Sequence, residues 1–169
     1  QRMNSSCAGG TGAFIDQMAV LLDTDAYGLN EYAKNYKTIY PIASRCGVFA
    51  KTDIQPLIND GAAKEDIAAS ILQAVVNQTI GGLACGKPIR GKVAFLGGPL
   101  YFLPELKKRF AESLNLSKEQ IIAPEQSQLF PAIGAALSSS KERVISMEKL
   151  VKEIEGIKNY KDDAVNHLP

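Results

Sequence analysis

The chain has 169 residues, 46% hydrophobic and 22% charged, enough for a packed core without disulfide staples. Nineteen Lys and Arg against eighteen Asp and Glu leave a net charge of +1, so there is no basic surplus for nucleic acid and no acidic surplus for a disordered tail. One His and three widely spaced Cys exclude a His-rich metal site and a disulfide framework, no apolar run approaches the about 20 residues of a membrane span, and the start lacks signal-peptide character, so cytoplasmic thiols are expected.

Residues 2–7 read as a strand end entering a loop, which continues as Cys7-Ala8-Gly9-Gly10-Thr11-Gly12. Over 13–22, apolar residues at 14, 15, 18, 21 and 22 form a helical stripe. A second, short helix is expected over 25–33. Residues 38–43 are rich in β-formers but hold Pro41, which limits them to a short or edge strand. Residues 48–58 read as a helix interrupted by Pro56, and Asn59-Asp60-Gly61 is a stop signal.

The longest helix is expected over 65–84, with Ile67, Ile71, Val75, Ile80 and Leu83 near one face and Gly81-Gly82 weakening its last turn. Residues 92–96 form a short apolar strand ending in Gly97-Gly98-Pro99. Pro104 opens a helix that runs to about 114. A strand over 120–123 and an Ala-rich helix over 128–138 follow. This order of strand, Gly turn, helix, strand and helix argues for a βαβα unit on a parallel or mixed sheet, an α/β fold with few short strands flanked by helices.

After Ser138-Ser139-Ser140 the composition turns Lys/Glu-rich. Val144, Met147, Val151 and Ile154 give 141–158 an amphipathic helix or a short coiled-coil seam, with packing on its own domain as the plainer alternative. Residues 159–169, with the lone His167, read as a frayed end. The expected division is therefore a domain over 1–140 and a peripheral helix and tail over 141–169.

Three segments carry chemistry. In Cys7-Ala8-Gly9-Gly10-Thr11-Gly12 the glycines let the backbone approach an anion, and the N–H groups and dipole of a helix start favour negative charge. The same field favours the thiolate of Cys7, the form that binds metal. The plain alternative is a Gly-rich turn with a buried Cys. Cys46, in Ser44-Arg45-Cys46-Gly47-Val48, also stands just ahead of a helical pattern. Two thiolates are too few for a tetrahedral zinc or a cubane cluster, and a two-fold axis would supply the other two. Two ordinary buried thiols remain the alternative. Cys85 reads as a small apolar residue before a C-cap Gly86. The Gly97-Gly98 turn, at a strand's carboxyl end, leaves room for a flat ligand.

Four runs taken together resemble a known family. They are Asn4-Ser5-Ser6-Cys7-Ala8-Gly9-Gly10-Thr11-Gly12-Ala13-Phe14-Ile15-Asp16, Cys46-Gly47-Val48-Phe49-Ala50-Lys51-Thr52-Asp53, Val93-Ala94-Phe95-Leu96-Gly97-Gly98 and Gln128-Leu129-Phe130-Pro131-Ala132-Ile133-Gly134-Ala135-Ala136. Their order over residues 3–138 is similar to that of the activators of 2-hydroxyacyl-CoA dehydratases and the ATPase component of benzoyl-CoA reductase, the BadF/BadG/BcrA/BcrD ATPase family of CoA-substrate-specific enzyme activases. The separation of Cys7 and Cys46, thirty-nine residues, is the one expected of the family.

The resemblance implies an actin-like (ASKHA) ATPase fold on ribonuclease-H-like domains, with a mixed sheet. It also implies a homodimer with one [4Fe–4S] cluster between the subunits, ATP-driven movement of the helices leading to that cluster, and electron delivery at low potential to a CoA-dependent dehydratase or reductase. On this resemblance Cys7 and Cys46 would be the cluster ligands. Gly9, Gly10, Thr11 and Gly12 would lie near both cluster and nucleotide phosphates, and Gly97 and Gly98 on the adenosine side, with the 128–136 helix nearby.

Two departures qualify it. The family's Asp-x-Gly phosphate loops, which hold Mg²⁺ and orient water, do not occur here. The chain thus resembles the C-terminal half of the ATPase, is expected to need an upstream domain for ATP/ADP with Mg²⁺, and is expected not to hydrolyse ATP alone. The Gly9-Gly10 pair and Asn4-Ser5-Ser6-Cys7 resemble large fused activase-like proteins, which suggests a domain excised from a longer polypeptide. The competing readings are a non-catalytic actin-like scaffold without cluster, and a zinc or disulfide site at Cys7 and Cys46.

Overall fold

The computed structural model describes residues 11–43, 46–139 and 145–158. Its order is α1 (Thr11–Val20), α2 (Ala26–Tyr32), α3 (Gly47–Asn59), α4 (Lys64–Ala84), β1 (Val93–Ala94), α5 (Gly98–Phe102), α6 (Pro104–Ser113), β2 (Ile121–Ile122), α7 (Phe130–Ser138) and α8 (Met147–Lys158). Two compact units divide inside α7, the first reaching Ile133 and the second starting at Gly134.

The first unit is built around α4, which packs against α1, α2, α3 and α6. Ile67, Ile71, Leu72 and Val76 of α4 are fully buried, together with Ile15, Met18 and Leu22, Leu29, Ile54 of α3 and Leu106 of α6. Each such side chain contributes about 1.5–3 kcal/mol by leaving water. By length and composition α4 could cross a membrane, yet half of its apolar stretch is buried inside the protein, as in the core helix of a globular domain.

Helix ends follow local chemistry. Asp25 caps α2, its carboxylate accepting the Gly28 amide at 2.8 Å. α1, α3 and α6 each end in a reversed turn with a left-handed residue, at Asp23, Gly61 and Asn115. The amides of Thr24, Ala62 and Leu116 reach back to the carbonyls of Ala19, Leu57 and Ala111, closing each end. Pro56 lies within α3 without interrupting it. Placed in the last turns, it forfeits only the one bond its missing N–H would have made.

The expected strand over 38–43 is not one. This stretch is extended but pairs with no strand among the described residues, and its amides go to side chains instead. Asp66 accepts from Lys37 at 2.6 Å and Thr38 at 3.0 Å, Ser70 from Tyr40 at 2.8 Å, and Asp53 from Ala43 at 2.7 Å. Arg109 clamps the segment's start, bonding the Tyr36 hydroxyl at 2.6 Å and lying over its ring while pairing with Glu112.

β1 and β2 pair in parallel, Val93 with Ile121 and Ala94 with Ile122, joined through α5 and α6. The pairing is prolonged where the Phe95 amide meets the Ile122 carbonyl at 2.9 Å and the Gly97 amide meets Ser127 at 3.1 Å. Phe95, buried, stacks tilted on Phe110 with centroids 6.1 Å apart. The five-residue α5 was not expected from the sequence. It is too short for an apolar period, and its Gly98-Pro99 start reads as a turn.

In the second unit the amphipathic helix starts at Met147, after Ser146, whose hydroxyl accepts the Lys149 amide at 3.3 Å. It is therefore shorter than the expected 141–158, and residues 141–144 lie outside the described residues. Met147, Leu150, Val151 and Ile154 are all exposed along it.

Candidate functional site

The site forms around the start of α1. Thr11 and Gly12 are the first described residues of α1. Gly12, Ile15 and Asp16 share one face, since residues three and four apart lie together on a helix. That face meets α2 and α5 across a cleft of about 290 Å³, lined also by Tyr27, Gly98, Pro99 and Phe102. Thr11 opens instead onto a smaller hollow of about 140 Å³ with Leu96, Pro99 and Leu100.

Two of the expected ligand-facing glycines, Gly12 and Gly98, thus meet although eighty-six positions separate them. Gly97 takes φ +96° and ψ 165°, a conformation that side chains resist, and no atom lies within 4 Å of where a Cβ would stand. Backbone geometry, not crowding, is what requires glycine there. Its carbonyl accepts the Tyr101 amide at 3.1 Å and so starts α5.

The opposite face of α1 lies against Gly47, the residue after Cys46. A Cβ on Gly47 would lie 3.5 Å from Gln17 Oε1 and 4.0 Å from Phe14 Cδ2, so the first residue of α3 rests on Phe14 and Gln17 of α1. Successive α-helical residues turn by about 100°, which puts Phe14 and Gln17 roughly across the helix axis from Gly12, Ile15 and Asp16. Cys46 is the N-cap of α3, with extended backbone and no capping bond from its side chain, and its carbonyl accepts the Ala50 amide at 3.0 Å. Its thiol is unbonded to sulfur and half-buried. Beside it Val48 and Phe49 are 70% and 64% exposed, an apolar surface in the first turn of α3.

Cys7, Gly9 and Gly10 lie outside the described residues. Among the described residues no group of three or more His, Cys, Asp or Glu gathers to hold a metal. Cys85 departs from its expected place. It is itself the C-cap of α4 with φ +48°, followed by Gly86 at φ +75°, and it is exposed rather than packed as an apolar filler. Its thiol reaches the Gly82 carbonyl at 3.1 Å.

Sequence reasoning missed the aromatic wall of the cleft. Tyr27 and Phe102 meet edge-on with centroids 6.4 Å apart, and Tyr101 meets Phe102 at 4.8 Å. All three are exposed. No spacing signals this, because Tyr27 and the α5 aromatics are far apart in the chain. Asp16, one helical turn from Gly12, is the one carboxylate lining the cleft.

The sequence pattern of the BadF/BadG/BcrA/BcrD ATPase family matches residues 1–139. The chain is 32% identical over 152 residues to the 2-hydroxyisocaproyl-CoA dehydratase activator of Clostridioides difficile, covering 90% of this chain and 55% of that protein. It is 40% identical over 98 residues to the (R)-2-hydroxyglutaryl-CoA dehydratase activating ATPase of Acidaminococcus fermentans, covering 57% of this chain and 37% of that one. The crystal structure of component A of the A. fermentans (R)-2-hydroxyglutaryl-CoA dehydratase superposes with a TM-score of 0.71 at 31% identity, over 82% of this chain and 51% of that chain. The C. difficile activator with bound ADPNP superposes with a TM-score of 0.64 at 26% identity, over 89% of this chain and 51% of that one. The chain thus spans about half the length of these relatives, and its fold is part of their actin-like α/β ATPase domain. By this match over most of its length, the chain belongs to the BadF/BadG/BcrA/BcrD ATPase family.

Proposed function

We propose that the chain is the cluster-bearing, nucleotide-facing half of an ATP-dependent activator that delivers low-potential electrons to a CoA-dependent dehydratase or reductase. One observation carries the reading: α1 presents Gly12 to a cleft shared with Gly98 on one face and seats the Cys46–Gly47 corner on the other. A single rigid element therefore touches both the place for a nucleotide and the place for a redox centre. The activator named with bound ADPNP supports ATP or ADP as the occupant of the cleft.

The chain's own residues have separable tasks. Gly9, Gly10, Thr11 and Gly12 are the residues assigned to the phosphate side. Gly97 and Gly98 give the nucleoside side close access to backbone, and Mg²⁺ takes its carboxylates from the rest of the activator. Cys46, the N-cap of α3, is one cluster ligand, and Cys7 is its companion.

The donor set fits a [4Fe–4S] cluster held across a homodimer. Two thiolates per chain become four in a pair, and the exposed Val48 and Phe49 beside Cys46 offer the twin subunit an apolar seat. When bound, the cluster supplies one-electron chemistry, with a potential set by surrounding hydrogen bonds and solvent. A shift of α1 on nucleotide exchange moves the support beneath Cys46. Residues 141–169 are taken as an addition to the activator domain over 1–140, and the setting as cytoplasmic.

Anaerobic reconstitution with iron and sulfide tests this. A brown dimer with four irons per two chains is expected, lost in Cys7→Ser and Cys46→Ser and kept in Cys85→Ser. A colourless monomer whose Cys7 and Cys46 are alkylated freely after reconstitution would refute the reading and leave the non-catalytic scaffold.

A further inference from the structure

We infer that Asp53 is the positioning residue for Cys46, fixing where the chain enters α3 and hence where the Cys46 sulfur points. The consequence for a redox centre rests on the reading of Cys46 as a ligand, while the positioning itself does not. Segment 36–43 has no strand partner among the described residues, so nothing in a sheet ladder orients the chain as it approaches Cys46. Its start is tied to α4 through Asp66 and Ser70. Its end is tied by the Ala43 amide donating to Asp53 Oδ2 at 2.7 Å.

That last bond differs from the others. Asp53 lies on α3, the helix that Cys46 itself caps, two turns further along. The carboxylate therefore closes a short loop, from Ala43 through Cys46 into α3 and back. On the far side Gly47 rests on Gln17 and Phe14. Cys46 is thus held between two fixed points, while its own side chain makes no capping bond that would orient it. A carboxylate suits the task, because a bond from an amide to a charged acceptor is shorter and stronger than one to a neutral acceptor.

The test uses the apo chain, with the exposed Cys85 as an internal reference. Alkylation of the folded protein by iodoacetamide, followed by mass spectrometry, gives the ratio of Cys46 to Cys85 rates. In Asp53→Ala the ratio rises by about tenfold, as expected when a charge-assisted tether is lost and the local segment opens. Asp53→Glu restores it to within about twofold, and Asp53→Asn, which keeps a neutral acceptor, falls between. Asp66→Asn, which loosens the distant end of the segment, leaves the ratio unchanged in the folded state.

A ratio unmoved in both Asp53→Ala and Asp53→Asn overturns the inference, as does an equal rise in Asp66→Asn. If Asp53→Ala does not fold, Asp53→Asn decides. In reconstituted protein, Asp53→Ala broadens the electron paramagnetic resonance signal of the reduced centre. If the unaltered chain assembles no cluster, the proposed function fails while the alkylation ratio still decides the role of Asp53.

Discussion

Asp66→Ala is expected to destabilise the chain by about 3 kcal/mol. The carboxylate accepts two amides, Lys37 at 2.6 Å and Thr38 at 3.0 Å, and it stands in the first turn of α4. A hydrogen bond to a charged acceptor contributes about 1.5–3 kcal/mol, and the low end applies because both amides can regain water. With a urea slope of about 2 kcal/mol/M, the midpoint should fall by about 1.5 M, read by far-ultraviolet circular dichroism.

The pH dependence adds a second readout. The Lys37 amide, then the Thr38 amide, hold the Asp66 carboxyl below its ordinary value of 3.8, with burial opposing them. A folded-state value below the unfolded one gives stability that is full above the ordinary carboxylate range and lost as pH falls through the folded value. The difference between native and variant chains should therefore be constant near neutrality and close in acid. A midpoint shift under about 0.3 M, or a difference that persists once carboxylates are fully protonated, refutes the assignment of these bonds.

Leu72→Ala, at a fully buried position in α4, should cost about 2–5 kcal/mol in urea unfolding, because the surrounding helices cannot collapse into the space. Gly97→Ala should cost about 1–2 kcal/mol by thermal denaturation through its φ of +96° alone, since a Cβ there meets nothing; an unchanged midpoint would show that the turn relaxes. Asp25→Ala should cost about 1 kcal/mol by removing the cap on the Gly28 amide, and Asp25→Ser should recover most of it.

The parts of the fold that were legible are those whose cause is local. The stripe at Phe14, Ile15 and Met18 announces α1, and the run from Ile67 to Val75 announces α4, because helical periodicity is carried by neighbours in the chain. Cys46 ahead of a helical pattern was readable for the same reason. The anchoring of 36–43 was not, since its acceptors Asp66 and Ser70 lie about thirty positions away and look in sequence like ordinary residues of an early helical turn. β-rich composition gave the extended backbone correctly but could not say whether strand or side chain would take its amides. The cleft was half legible. Glycines mark Gly12 and Gly98, whereas Tyr27 enters only because α2 packs beside α1.

The way segment 36–43 is fastened sets what evolution can change in it. Four of its holding bonds come from the main chain of residues 37, 38, 40 and 43, and the exposed side chains of Lys37 and Thr38 take no part in them. Proline alone is barred at those four places, for want of a donor. The proline already present occupies position 41, one of the places where no holding bond is drawn. Conversely, the acceptors Asp53, Asp66 and Ser70 stand on helices elsewhere, so much of the selective constraint that keeps this stretch in place is written outside it.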